Sequence, residues 1–400
     1  MSSGFVRNAI ILGLLSAIGP FAIDMYLPAM PTITADLHAP IAATQMTLTA
    51  YFVAFGLCMV LFGPISDMIG RKPPLYFGIV VFALGSIGCA LAPSIEWLIA
   101  FRAVQGIGAS AIMLIPRAII RDLHTGVEAA RLMSLVMLVF SVSPILAPIT
   151  GSALIVPFGW RSVFVAVTGA AILAFVLVLT MLRETRPPED RVRAGLGPVV
   201  RGFGQLLRDG RFLGLTFIGG FGMASFFAFL ASSSFIYIDH FGLTPVQYSL
   251  AFSVNAIGFI GAAQFSAPLG ARFGMGRVVT LAVSVYAVFA LLLFAVTASG
   301  VDNLAVLMTG LFLAFACLGL VVPSTMVLAL EEHGPIAGLA SSLGGTLQML
   351  TGGLMIVLVS VFFNGTALPM VTVIAACAVS SLVLAYMTLG WRELAPVPGE

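Results

Sequence analysis

Two charged residues stand where the chain is otherwise apolar. One is Asp24, in Asp24-Met-Tyr26-Leu-Pro28-Ala-Met-Pro31; the other is Arg102, in Arg102-Ala-Val-Gln105-Gly106-Ile-Gly108-Ala109. A charge inside a long hydrophobic segment is costly, and it is kept where it faces a partner, a wet cavity or an ion path. Asp24 is the one acidic residue well inside such a segment, which makes it the default proton or cation site. Burial opposes ionisation of a carboxyl and a nearby arginine favours it, so a carboxyl under both influences switches when the arginine moves. Gln105 follows Arg102 by three residues and shares its helical face. Gly106, Gly108 and Ala109 admit a close neighbouring helix. Plainer uses exist for both charges. An aspartate ahead of a proline-rich turn can simply form that turn, and an arginine near a segment end can snorkel.

Three further clusters carry polar chemistry. Gly63-Pro-Ile-Ser-Asp67-Met-Ile-Gly70-Arg71-Lys72-Pro73 is a charge-dense loop. Gly63 and Gly70 let helix ends pack closely, and Asp67 can accept from Arg71 or cap a neighbouring helix. A loop that packs in one state and parts in another biases a two-state element, although it also reads as a simple cytoplasmic turn. Ser143-Pro144-Ile-Leu-Ala147-Pro148-Ile-Thr150-Gly151-Ser152 describes a kinked, tightly packed helix through Ala147, Pro148 and Gly151. Asn255, Gln264 and Gln348 interrupt later apolar runs, where they line a path or bridge helices. Phe226, Phe227, Phe229 and Tyr237 line a cavity or face lipid. Tyr26, Gln105, Phe227, Asn255 and Gln348 are therefore the candidate substrate-cavity residues.

The elements that must hold these residues are membrane spans. The 400 residues are 60% hydrophobic and 8% charged, with mean hydropathy +1.12. Soluble domains carry roughly 25% charged residues, and a chain this apolar could not keep a soluble surface. Spanning a bilayer takes roughly 20 apolar residues. Spans are expected at 8–30, 44–66, 75–93, 97–120, 131–156, 161–182, 212–237, 247–270, 277–298, 303–330, 337–363 and 368–390. Charged or Pro/Gly clusters separate them, Pro28 to Pro31 among them. The opening apolar run, from Arg7 to about Ala22, lacks a clear small-x-small site before Asp24 and reads as a retained first span.

The long hydrophilic stretch 184–211 is the natural hinge. It divides the chain into an N-terminal six-helix half, 1–183, and a C-terminal half, 212–400. Sixteen of the 18 basic residues fall on one side of the expected topology. That skew places both termini and the hinge in the cytoplasm. Gly63-Pro64 to Gly70 is echoed in Ala267-Pro268 to Gly274, 204 residues later, as two parallel six-span repeats around a central cavity would require.

These motifs resemble those of the major facilitator superfamily. The 63–73 loop is similar to its G-x-x-x-D-x-x-G-R-K/R signature, and 102–109 to its R-x-x-Q-G-x-G-A signature. Residues 143–152 resemble the antiporter signature G-x-x-x-G-P-x-x-G-G, with Ala147 in place of the glycine before Pro148 and Ser152 in place of the last glycine. Together with Asp24-Met-Tyr26-Leu-Pro28 and Ala340-Ser341-Ser342-Leu343, they resemble the Bcr/CflA branch of drug:proton antiporters, which includes bicyclomycin- and chloramphenicol-type exporters. The resemblance implies the MFS fold, an all-α membrane protein of twelve transmembrane helices. It also implies proton-coupled multidrug efflux by alternating access, with Asp24 and Arg102 coupling. In that family an acid at the position of Asp122 pairs with the loop arginine. Asp122 thus joins Gly63, Asp67, Gly70 and Arg71 in the latch. Rival readings are export of a metabolite such as an amino acid or sugar, or a non-transporting receptor or scaffold.

Several chemistries are excluded. Lys72 is followed by proline, and no G-x-x-x-x-G-K-[ST] occurs, so no P-loop binds ATP. No H-E-x-x-H occurs, the four histidines are scattered, and Cys58, Cys89, Cys317 and Cys377 lack metal or redox spacing. No catalytic residue, metal, cofactor or nucleic acid is expected. The partners are a small-molecule drug, the proton and the lipid bilayer of a bacterial inner membrane, and a monomer is expected.

Overall fold

The computed structural model describes residues 3–124, 126–191 and 196–390. Part of the hinge, 192–195, and the C-terminal Arg392 counted above lie outside the described residues. Among the described residues, twelve helical segments are long and apolar enough to cross a bilayer. The first six are Phe5–Asp36, Ile41–Ile69, Lys72–Leu91, Ile95–Leu123, Arg131–Phe158 and Arg161–Met181. The second six are Gly210–His240, Pro245–Phe273, Met275–Ala298, Leu304–Glu331, Ala337–Phe362 and Leu368–Leu389. They are numbered spans 1 to 12 below, and each overlaps its expected position. Hydrocarbon offers no partner to backbone N–H and C=O groups, so apolar runs of this length close their hydrogen bonds within themselves as helices.

Span 1 departs from the expected boundary. The Pro28–Pro31 cluster is not a stop. The helix ends at Asp24, passes through a 3-10 turn at Leu27–Ala29, and resumes at Met30–Asp36. Pro28 and Pro31 each fall in the first turn of a new helical piece, where a missing N–H leaves no bond broken. Asp24 therefore lies 12 residues before the end of the span, deeper than an end at residue 30 would place it.

Contacts divide the chain into two compact units. One is Met1–Val199 with Leu243–Ser253; the other is Val200–Gly242 with Val254–Glu400. Residues 243–253 group with the first unit through span 5. Ser249 Oγ donates to the Pro148 carbonyl at 2.8 Å, and Ser253 Oγ to that of Ile145 at 3.2 Å. In the first unit, span 1 is tied to span 6 at Asp36, which accepts from Trp160 Nε1 at 2.9 Å and Arg161 Nη1 at 2.8 Å.

Candidate functional site

A polar knot sits inside the first unit. Gly106 of span 4 touches the Tyr51 backbone of span 2, where any Cβ would overlap the carbonyl. Gly151 of span 5 meets the Met25 backbone in the same way. Small residues at these two contacts bring spans 1, 2, 4 and 5 around one point, as membrane helix packing favours. At that point Arg102 is fully buried. Its Nη1 donates to the Ala22 carbonyl at 3.1 Å and to Gln105 Oε1 at 2.5 Å. Gln105 Nε2 passes the chain on to Ser86 Oγ of span 3 at 2.7 Å. The guanidinium carbon lies 4.7 Å from the Tyr26 ring centre and 4.6 Å from that of Tyr51.

Asp24 is buried two residues along from the carbonyl that Arg102 holds. Yet among the described residues no ion pair joins Asp24 to Arg102 or to any other cation. The Arg102 Nε and Nη2 atoms are buried with no hydrogen-bond partner. The charge is carried by two aromatic faces, which attract a cation within about 6 Å of the ring centre.

Tyr26 and Gln105 are fully buried, and their polar atoms are spent inside the unit, Tyr26 on Thr47 at 2.7 Å. In this conformation they position Arg102 and do not line an open cavity, as both were expected to. Phe227, Asn255 and Gln348 belong to the second unit. Phe227 packs on Gly352 of span 11, and Gln348 lies against Gly219 and Gly220 of span 7. Asn255 is fully buried. Tyr51 and Ser86 escaped the sequence reading because neither carries a charge nor sits in a motif.

The second site is the loop latch. Arg71 Nε and Nη2 grip both Asp122 oxygens at 2.7 and 3.2 Å. Its Nη1 donates to Asp67 Oδ1 and Ser66 Oγ, each at 2.8 Å. Gly70 has φ +100°, a left-handed conformation open to glycine, and a Cβ there would meet Glu184 Oε2 at 2.9 Å. Gly63 is different: a Cβ would meet only Leu114, at 3.8 Å. The close packing expected at Gly63 is thus absent here.

Sequence reading also missed the strap behind the latch. Glu184 accepts from the Arg71 and Lys72 backbone N–H groups at 2.9 and 3.0 Å, capping the start of span 3. Arg186 Nη1 reaches Asp67 at 3.0 Å, and Thr185 Oγ1 reaches Asp122 at 3.1 Å. The signal available was Glu184 itself, an acid at the start of a basic hinge. Partial burial pushes the Glu184 carboxyl up, but four backbone N–H donors, from Lys72, Arg71, Arg186 and Thr185, outweigh it and hold the carboxyl below its ordinary range. A depressed carboxyl stabilises the fold above its unfolded pKa and loses that contribution as pH falls through its folded one. We expect thermal stability to decline below about pH 4.5, and Glu184→Gln to flatten the part of that decline due to this residue. Melting curves from pH 7 to 3.5 check this; an unaltered slope in the variant would refute it.

Span 5 carries Pro144 and Pro148 inside one continuous helix. Ala147 is fully buried, Pro148 offers its carbonyl to Ser249, and Gly151 receives the Met25 backbone. Of the kink residues, Gly151 thus packs against span 1 one residue past Asp24. Among the described residues no cluster of three or more His, Cys, Asp or Glu side chains could hold a metal.

Twelve spans, a buried intramembrane carboxyl and arginine, and a charged loop latch describe a secondary transporter and not an enzyme. Residues 12–356 match the Major Facilitator Superfamily, and the chain belongs to that family. It is 36% identical to the MFS-type transporter YdgK of Bacillus subtilis over 93% of this chain and 92% of that one. It is 32% identical to the bicyclomycin resistance protein homolog of Haemophilus influenzae, over 96% of each. The multidrug resistance protein MdtL of Klebsiella pneumoniae is 28% identical over 91% of each. The fold is shared with the xylose transporter XylE of E. coli, with TM-score 0.74 and 14% identity over the full length of both. It is also shared with the nucleoside transporter NupG, with TM-score 0.75 and 14% identity over 96% of this chain and 99% of that one.

Proposed function

We propose that this chain exports small lipophilic drugs across a bacterial inner membrane in exchange for protons, by alternating access. The observation that carries the reading is Asp24, buried in span 1 with no cation on it among the described residues, two residues along from the carbonyl held by an arginine whose bidentate edge is unoccupied. A carboxyl so placed can take up and release a proton as a conformational change offers it or withdraws a counter-charge or water. The names of the relatives, bicyclomycin resistance and multidrug resistance, support a drug as cargo. The test is substrate-dependent quenching of a pH dye inside proteoliposomes, across a panel of antibiotics, amino acids and sugars. Proton movement with antibiotics supports the reading. Movement only with a metabolite would replace the cargo, and none with any compound would remove transport coupling.

The charge skew orients the chain with its hinge in the cytoplasm. Arg201→Cys in the hinge should react with a membrane-impermeant maleimide only after cells are broken. Ser299→Cys, exposed between spans 9 and 10, should react in intact cells. The reverse pattern would invert the topology and the direction of proton entry.

A further inference from the structure

Arg102 presents an unusual division of labour. Its Nη1 is fully engaged, by Ala22 and Gln105, and this fixes the plane of the guanidinium. Two rings lie against the guanidinium, those of Tyr26 and Tyr51. The remaining edge, Nε with Nη2, is buried and without a partner. That edge is one of the two on which a guanidinium takes a carboxylate with two parallel hydrogen bonds. The buried carboxyl nearest along the chain to the Ala22 contact is Asp24, which does not occupy it.

A buried cation with no anion on it is costly unless something else bears the charge. The two rings do so here. They are themselves rigidly held. Tyr26 is fixed by its hydroxyl on Thr47 and by Phe164 of span 6, whose ring centre lies 5.7 Å away. Tyr51 is fixed by the Gly106 contact and by stacking on Phe55 at 6.2 Å. The Tyr51 hydroxyl is buried with no hydrogen-bond partner, so this residue serves the site through its ring face.

We propose that Tyr26 and Tyr51 are positioning residues that hold the Arg102 charge against their rings, as a clamp, while Asp24 is protonated, keeping the Nε–Nη2 edge free to dock the ionised carboxylate. The clamp is then the competing counter-charge. It makes the protonated state of the site tenable without an ion pair, and its strength sets how acidic the medium must be to discharge Asp24. The inference rests on the antiport reading above for its purpose, though its physical content is a property of the site alone. The titratable and charged groups facing the clamp are few. Span 1 contributes Asp24 and Tyr26, span 2 Tyr51, span 3 Cys89, and span 4 Arg102 itself. Spans 5 and 6 contribute the uncharged Gly151 and Phe164.

The test reads Asp24 directly, without a substrate. In the full chain in lipid nanodiscs, the infrared carbonyl stretch of protonated Asp24 is identified by its loss in Asp24→Asn and followed against pH. Tyr51→Phe keeps the ring and should leave the half-protonation point within about 0.3 pH unit of wild type. Tyr51→Leu removes one face of the clamp. Its half-point should move to lower pH by about one unit, because the unpaired arginine then draws harder on the carboxylate. Fluorination withdraws charge from the ring face, so a series of mono-, di- and trifluorophenylalanine at position 51 should move the half-point downward in steps. A Tyr51→Leu profile identical to wild type, or a fluorine series without a trend, would overturn the clamp. A half-point that follows the ring while proteoliposomes exchange no proton for any compound would keep the clamp and discard the antiport reading.

Discussion

Asp24→Asn is expected to abolish proton-driven export while leaving substrate binding largely intact and independent of pH. Asp24 is buried in span 1 and, among the described residues of the first unit, is the one carboxyl that the fold places deep among apolar helices. Asparagine is nearly the same size and hydrogen-bonds, but it does not titrate in this range. It holds the site permanently in the equivalent of the protonated state, so there is nothing to exchange against cargo. Dye-reported proton flux in proteoliposomes should fall at least a hundredfold, and binding measured at pH 5.5 and 8 should coincide. Proton flux at the wild-type rate in this variant would route the proton elsewhere. The acids at helix ends, Asp122 and Glu331, would then be the next to test.

Arg71→Ala should lower turnover by at least tenfold while changing substrate affinity less than threefold. Arg71 is 4% exposed and joins three helix ends through Asp122, Asp67 and Ser66. Removing it strands Asp122, whose side chain is 17% exposed, with Thr185 as its remaining partner. Hydrogen bonds between charged groups contribute about 1.5–3 kcal/mol when buried. Asp67 is 43% exposed, so its share is smaller. A bias near 2 kcal/mol shifts a two-state equilibrium roughly thirtyfold, enough to starve one of the states that a transport cycle needs. The loop lies between helix ends and not at the site proposed around Asp24, so affinity is expected to be spared. Asp67→Asn should act in the same direction by less, since an amide oxygen still accepts from Arg71. Single-turnover binding alongside steady-state export separates the two effects. A large loss of affinity with normal turnover would make the loop part of the binding site.

The span pattern was open to sequence reading because the bilayer acts as a solvent on local composition. Any run of some 20 apolar residues must become a helix there, whatever its neighbours. Asp24 and Arg102 were legible for the same reason, since a charge in such a run stands out against its own segment. So were Gly70 and Gly106, because few residues other than glycine tolerate a left-handed turn or a backbone pressed against the Cα. What carries the Arg102 charge was not legible. Tyr26 and Tyr51 are neutral residues in spans 1 and 2, both brought against one guanidinium by helix packing around Gly106 and Gly151. The Glu184 cap lies 113 residues from the Arg71 backbone it serves, and its partners are N–H groups, which every residue but proline presents alike. Pro28 and Pro31 read as a stop because a proline breaks a helix interior, and only the path of span 1 placed them at the start of new turns. Composition determined which segments enter the membrane and which charges must be accounted for. The packing of non-adjacent helices decided what accounts for them, because a partner for a buried charge is chosen by distance in space and not by position along the chain.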